Sequence, residues 1–444
     1  MLPSSCFSKL PFFLAAIFFA AVGELYALSD VSAVYDTGTE VPVTAAAVTA
    51  TGATVTFSLN YAPVTGTTLT VVNNTGLNFI NGQFSNLTQG QTVTLSFGGV
   101  NYTFVANYYG GTGNDLVLFW KDSRAFAWGQ NGSGELGNNN NTNSTVAMQV
   151  TATGVLAGKT VLSVAGGYYY SVALCSDGTL AAWGWNAYGQ LGNNSTTDST
   201  VPVAVNTTGV LAGKTVVAIA TGNLYNLALC SDGTLAAWGY NNNGQLGNNS
   251  TTNSTVPVAV NTTGALAGKT VVAMAAGGNY SLALCSDGTL ASWGYNGTTY
   301  STIPVAMTAT GVLAGKTVVE VAAGGGHSLA LCSDGTMAAW GYNSNGQLGN
   351  NSTTDSSVPV AVTTTGVLAG KTVVEVAAGS SHSLALCSDG TLAAWGYNSN
   401  GQLGNNSTTD SSVPVAVTAT GVLAGRAVVA VAAGTSHNLG SVNK

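Results

Sequence analysis

The chain has very little charge. Only 6% of its 444 residues are Asp, Glu, Lys or Arg, against roughly a quarter in an average soluble protein. Solubility must therefore rest on amides, hydroxyls and 58 glycines. Ten basic residues against 17 acidic leave a net charge of −7, which argues against nucleic acid as a partner, because phosphate neutralisation needs a basic surface. Histidine is scarcer still, with three copies. Beyond the first thirty residues no apolar run approaches the ~20 that a membrane-spanning helix needs, so no transmembrane anchor is expected. Cysteine is sparse and reads as unpaired. Cys6 precedes an apolar run, and Cys175, Cys230, Cys285, Cys332 and Cys387 recur in one apolar context, Leu-Ala-Leu-Cys or Val-Ala-Leu-Cys. An odd number at equivalent positions suits small buried side chains better than a disulfide framework.

Valine, threonine, alanine and glycine dominate instead, a composition for strands and tight turns rather than long helices. The opening thirty residues place Lys9 ahead of an apolar run from Phe12 to Val22, with small residues at Ala27 and Ser29 before Asp30. That is the pattern of a secretory signal over 1–29, so the expected location is secreted or at the cell surface.

The strongest signal is a period. Trp128, Trp183, Trp238, Trp293, Trp340 and Trp395 are spaced 55, 55, 55, 47 and 55 residues apart. A fixed period of this size marks a repeat architecture. The unit over 216–270 holds four strand-like pieces, 216–220, 226–230, 235–239 and 256–260. Ser231-Asp232-Gly233-Thr234 is a tight turn in which Asp-Gly supplies positive φ angles. Pro257 suits an outer edge strand, where its missing N–H breaks no ladder. Four antiparallel strands per unit make the blade of a β-propeller. Residues 122–129 enter at a third strand, and 428–439 supply a first and second. The expected architecture is therefore an all-β propeller over 122–444, with six four-stranded blades (seven as the alternative) closed by pairing of the terminal strands. A small all-β module of hairpins over 30–120 precedes it.

The units resemble the regulator-of-chromosome-condensation repeat. The resemblance lies in Ala-Ala-Gly-x-x-His-Ser-Leu-Ala-Leu, Asp-Gly-Thr, Trp-Gly-Tyr-Asn and Gly-Gln-Leu-Gly, seen whole at 322–349 and 377–404, and it spans about 320 residues. It implies a propeller, commonly of seven blades, and guanine-nucleotide exchange as the family activity. Some secreted bacterial propellers that resemble this repeat inhibit enzymes. Residues 68–120 loosely resemble the short β segment that closes passenger regions of autotransporter-like proteins.

Candidate chemistry is repetitive. Lys159, Lys214, Lys269, Lys316, Lys371 and Arg426 place one cation at the same loop position of every blade. A ring of like charge on one face attracts an anionic partner, so these are the candidate partner-binding residues. The phrase Gly-Val-Leu-Ala-Gly-Lys-Thr at 154–160 is not a phosphate loop, because three residues rather than four separate its glycines and a β-branched strand follows. His327, His382 and His437 share a register with Tyr170, Tyr225 and Tyr280. A site that accepts tyrosine needs a ring with a hydrogen-bonding tip, not a metal ligand. Residues 110–118 match a calcium nonapeptide, which works by stacking and occurs here once. No histidine lies outside the repeat register to serve Ser or Thr as a base, so no catalytic set is found and no cofactor or metal is expected. Units 318–372 and 373–427 differ at six of 55 positions, which favours interchangeable parts over a specialised catalytic corner. The reading is an exported, monomeric, non-catalytic binding or scaffold module for a protein or glycan. Exchange-factor-like regulation and enzyme inhibition are the alternatives. The unit around 293–304 lacks eight loop residues, which notches one face.

Overall fold

The computed structural model describes residues 26–307, 311–418 and 428–442. Most of the expected signal segment, together with Arg426, lies outside them. Tyr26–Ala27, inside the expected 1–29 boundary, pairs in parallel with Val48–Thr49.

Five four-stranded antiparallel sheets stand in sequence order. Blade 1 comprises Val161–Gly166, Tyr170–Cys175, Leu180–Gly184 and Ser199–Ala204. Blade 2 comprises Val216–Thr221, Tyr225–Cys230, Leu235–Gly239 and Ser254–Ala259. Blade 3 comprises Val271–Ala276, Tyr280–Cys285, Leu290–Tyr295 and Tyr300–Ala306. Blade 4 comprises Val318–Ala323, His327–Cys332, Met337–Gly341 and Ser356–Ala361, and blade 5 comprises Val373–Ala378, His382–Cys387, Leu392–Gly396 and Ser411–Ala416. The second and third strands are buried on both faces, as in Tyr225–Cys230 and Leu235–Gly239, so they read as apolar runs rather than alternating ones. Pro257 lies in an outer strand, where no ladder bond is lost.

Two half-blades flank these five. Phe126–Gly129 with Ser144–Gln149 leads, and Val428–Ala433 with Asn438–Val442 trails. The leading pair holds the repeat register of a third and fourth strand, and the trailing pair that of a first and second. Among the described residues each half pairs only within itself. Phe126 and Trp128 are accordingly 55% and 49% exposed, while Trp183, Trp238, Trp293, Trp340 and Trp395 are buried.

The Asp-Gly turn differs from expectation in one detail. Gly178 (φ +80°) carries the positive φ and Asp177 does not. Gly178 N–H donates to Cys175 O, and Asp177 Oδ1 accepts from Thr179 N–H. The turn is the longer hairpin form with glycine in the left-handed position.

The N-terminal module is not built of hairpins throughout. Val31–Tyr35 pairs in parallel and in register with Val55–Leu59, and Val43–Ala45 does so with Leu69–Asn74. Antiparallel hairpins appear only from Thr92–Phe97 through Val100–Gly110 to Asp115–Trp120. Alternation in a sequence reports which face is buried but not the direction of the partner strand. The module has its own core, including Tyr35, Leu69, Phe84, Phe104 and Leu118.

Candidate binding surfaces

The blades are fastened to one another by side chains at fixed register. Tyr170 Oη donates to Tyr225 O of the next blade (2.7 Å), Tyr225 Oη to Tyr280 O, and Tyr280 Oη to His327 O. In blades 4 and 5 the ring is imidazole. His327 Nε2 meets Ser383 Oγ at 2.9 Å and His382 Nε2 meets Asn438 Oδ1 at 2.6 Å. Burial, helped by the neighbouring His382, pushes the His327 pKa down to about 3. Burial lowers that of His382 as well. These rings are structural ties between blades.

A second tie runs through the long loops between third and fourth strands. Asn241, fully buried, donates through Nδ2 to Ser250 O (2.9 Å) and Thr252 O (3.0 Å), while its Oδ1 accepts from Leu246 N–H (2.9 Å). The loop so held presents Gln245 O to the next blade, where Trp293 Nε1 and Ser281 Oγ both donate to it at 2.9 Å. The same pattern joins Trp183 to Glu135 O, Trp238 to Gln190 O and Trp395 to Gln347 O. The loop glycine lies flat on the indole: a Cβ at Gly192 would fall 2.7 Å from Trp238 Nε1.

The cations expected to bind a partner, Lys159, Lys214, Lys269, Lys316 and Lys371, lie on the face opposite these loops. Each is ion-paired with the turn aspartate of the following hairpin: Asp177, Asp232, Asp287, Asp334 and Asp389. The pairing holds the Asp287, Asp334 and Asp389 carboxyls down at about 2. The ring is thus compensated charge by charge. The N-terminal module sits on this same face, where a Cβ at Gly90 would lie 3.0 Å from Ser176 O. Between module and blades lies a cavity of ≈ 1550 Å³, lined by Phe79, Tyr109 and Asn114 above and by Val217, Met274 and Val319 below. Its charged lining residues are Arg124 and Glu320, and Glu320 Oε2 accepts from Val376 N–H at 3.3 Å.

Other sequence candidates resolve into structure. Asp115, in the calcium-like nonapeptide, accepts from Asn74 N–H (2.7 Å) and Thr112 N–H (3.0 Å), so its carboxylate holds the turn together. Burial raises its pKa. Gly154–Leu156 is a single 3₁₀ turn followed by the inner strand of blade 1. The five repeat cysteines are buried and unpaired, and burial lifts the Cys175 thiol to about 12 and Cys230 to about 11. Such thiols are not nucleophiles near neutrality. No metal-ligating cluster occurs among the described residues.

The loop face carries what the sequence reading missed. Tyr168, Tyr169, Trp185, Tyr188 and Tyr240 form a continuous edge-to-face row across blades 1 and 2, with successive centroids 4.2, 6.0, 5.5 and 4.9 Å apart. The position after Trp-Gly, held by Trp185 and Tyr240 in the row, carries Tyr295 and Tyr342 in blades 3 and 4, both 44% exposed. The signal was available in the aromatic that follows Trp-Gly in five consecutive units and in the triplet Tyr168-Tyr169-Tyr170. Asn, Ser and Thr loops border the row, for example Asn193–Thr197.

Repeated four-stranded blades tied edge to edge define a β-propeller. The regulator of chromosome condensation (RCC1) repeat model matches residues 122–174, 177–229, 232–284, 334–386 and 389–440. A second model of the same repeat matches 161–190, 216–245, 271–298, 318–347 and 373–402. The chain belongs to the RCC1-repeat family. It is 32% identical to the ultraviolet-B receptor UVR8 of Arabidopsis thaliana over 140 residues, which is 32% of this chain and 30% of the receptor. It is 35% identical to the E3 ubiquitin-protein ligase HERC2 of Homo sapiens over 130 residues, 29% of this chain and 3% of the ligase. The chain therefore matches less than a third of the length of these relatives. Among solved structures, human WBSCR16 superposes with a TM-score of 0.63 at 25% identity, covering 74% of this chain and 84% of that one. Yeast RCC1 (Prp20), solved with Kap60, gives 0.62 at 22% identity over 74% of this chain and 78% of its own, a likeness of fold.

Proposed function

We propose that the chain is an exported, non-catalytic binding propeller that holds a neutral glycan on its loop face. The observation that supports this most is the aromatic row Tyr168–Tyr169–Trp185–Tyr188–Tyr240. Tyr168 is exposed and the other four rings are half-buried, and such aromatic faces beside amides and hydroxyls supply apolar contact and adaptable hydrogen bonds at low entropic cost. The near absence of charge on the chain fits an uncharged ligand. The leader-like pattern over 1–29 supports export, and buried imidazoles with high-pKa thiols speak for binding without catalysis.

Binding to a panel of neutral polysaccharides, followed by calorimetry, tests the reading. Trp185→Ala and Tyr188→Ala are expected to weaken binding about tenfold or more each, as loss of a stacked aromatic does at other interfaces. A panel without a ligand, or binding indifferent to both changes, would refute it. Capture of a protein through the same row would keep the surface and replace the ligand. The ring lysines Lys159, Lys214, Lys269, Lys316 and Lys371 are each ion-paired with a turn aspartate, which leaves them, with Arg426, the weaker candidates for holding a ligand. Changing all six to Gln is expected to leave glycan binding intact.

A further inference from the structure

In blades 1 and 2, as in the leading half-blade and blade 4, the Gly-x-Leu-Gly loop is the plug that fills the seam with the following blade. Leu136, Leu191, Leu246 and Leu348 are buried. The carbonyl before each leucine accepts the next blade's indole N–H. The glycine after it roofs that indole. A left-handed Asn two residues further on donates its N–H to the next outer strand, at Thr200 O, Thr255 O, Thr302 O and Ser412 O, each 2.9 Å.

Blade 3 lacks the eight residues that make this plug. Every partner it would meet is still in place on blade 4. Trp340 is fully buried, and its Nε1 has no hydrogen-bond partner among the described residues, whereas the other four blade tryptophans are satisfied. Ser328 keeps the contact with Tyr280 Oη at 3.0 Å, whereas Ser281 in the filled seam bonds both Tyr225 Oη and Gln245 O. A cavity of ≈ 190 Å³ opens between the blades, lined by Ser292, Met307 and Ser357 among others. Ser357 occupies the register of Thr200, Thr255, Thr302 and Ser412, the positions that receive the plug elsewhere. A buried donor left unpaired costs free energy that a carbonyl in this position would recover.

We infer that the notch at blade 3 is a peptide-binding site that accepts, from another chain, a Gly-x-Leu-Gly-x-Asn turn. The occupant's chemistry is read from the occupied copies. A backbone carbonyl meets Trp340 Nε1, a leucine side chain fills the cavity, a glycine lies on the indole, and an amide N–H reaches Ser357 O. This site is separate from the aromatic row and does not depend on glycan binding.

The test is titration of the full chain with the synthetic peptide Asn-Asn-Gly-Gln-Leu-Gly-Asn-Asn-Ser, read by calorimetry. Saturable 1:1 binding is expected. Changing the peptide leucine to Asp, or its second glycine to Val, should abolish it. Trp340→Phe, which removes the donor and keeps most of the ring, should weaken it about tenfold. A variant with the eight missing residues inserted after Asn296 fills its own notch and should not bind. Trp185→Ala, which impairs the aromatic row, should bind the peptide as before. Absence of saturable binding up to about 1 mM peptide, or binding that survives the insertion, overturns the inference.

Discussion

His327 and His382 stand where blades 1 to 3 carry tyrosine, and that difference makes stability depend on pH in a calculable way. Burial holds the His327 imidazole neutral, with a pKa of about 3, whereas in an unfolded chain it titrates near ~6.5. Between those values the unfolded chain binds a proton that the folded one refuses. Stability is therefore fully present above ~6.5 and is lost as pH falls toward the folded value. One pKa unit corresponds to about 1.36 kcal/mol, so from pH 7 to about 5 His327 alone should remove roughly 2 kcal/mol. His382 acts in the same direction. The double variant His327→Tyr/His382→Tyr restores the ring of the other blades, whose hydroxyl donates to a carbonyl one blade on, and tyrosine does not titrate here. Urea unfolding at about pH 7 and about pH 5 should show the wild type losing more than about 2 kcal/mol beyond the loss of the variant. Equal losses would refute the assignment of these histidines as buried, neutral inter-blade ties.

Other expectations follow from the same contacts. The Lys–Asp pairs contribute above ~4 and are lost as pH falls through about 2, the value of Asp287, Asp334 and Asp389. Because the pairs are largely exposed, solvent screening keeps the contribution of each one small. Replacing all five aspartates with Asn should flatten the acid limb of a thermal stability profile below about pH 4; an unchanged limb would place its origin elsewhere. Gly192→Val drives a branched side chain against Trp238 Nε1, 2.7 Å from its Cβ, at φ +64°. A loss of roughly 3 kcal/mol or more is expected, and an unaltered Tm would show that the loop does not roof the indole.

Much of this molecule was legible in its sequence because each repeat restates the same local physics. Trp-Gly every 55 residues, Asp-Gly-Thr between two apolar runs, and proline in the last strand together specify a four-stranded blade with a defined outer edge. The parallel rungs of the module were not legible. Val31–Tyr35 meets Val55–Leu59 across an intervening chain whose alternation is equally compatible with a hairpin. The lysine ring was visible as a pattern, but its compensation was not, since Lys159 and Asp177 are brought together only when the blade forms. The aromatic row lay in plain register at Trp185, Tyr240, Tyr295 and Tyr342. Repetition made it read as framework rather than surface. The notch was visible as eight missing residues. Its consequence required the fold, because each indole finds its carbonyl 48 residues upstream, in the preceding unit.

The claim that binding belongs to the loop face and not to the lysine face is tested most directly by photo-crosslinking. A photoreactive residue is placed at Ala187, exposed between Trp185 and Tyr188, or at Lys269 on the opposite face. Each protein is then exposed to a whole extract of the source cells and to their medium. Adducts formed from position 187 and not from 269 are the predicted result. Adducts from 269 alone, or from neither position, would contradict the account.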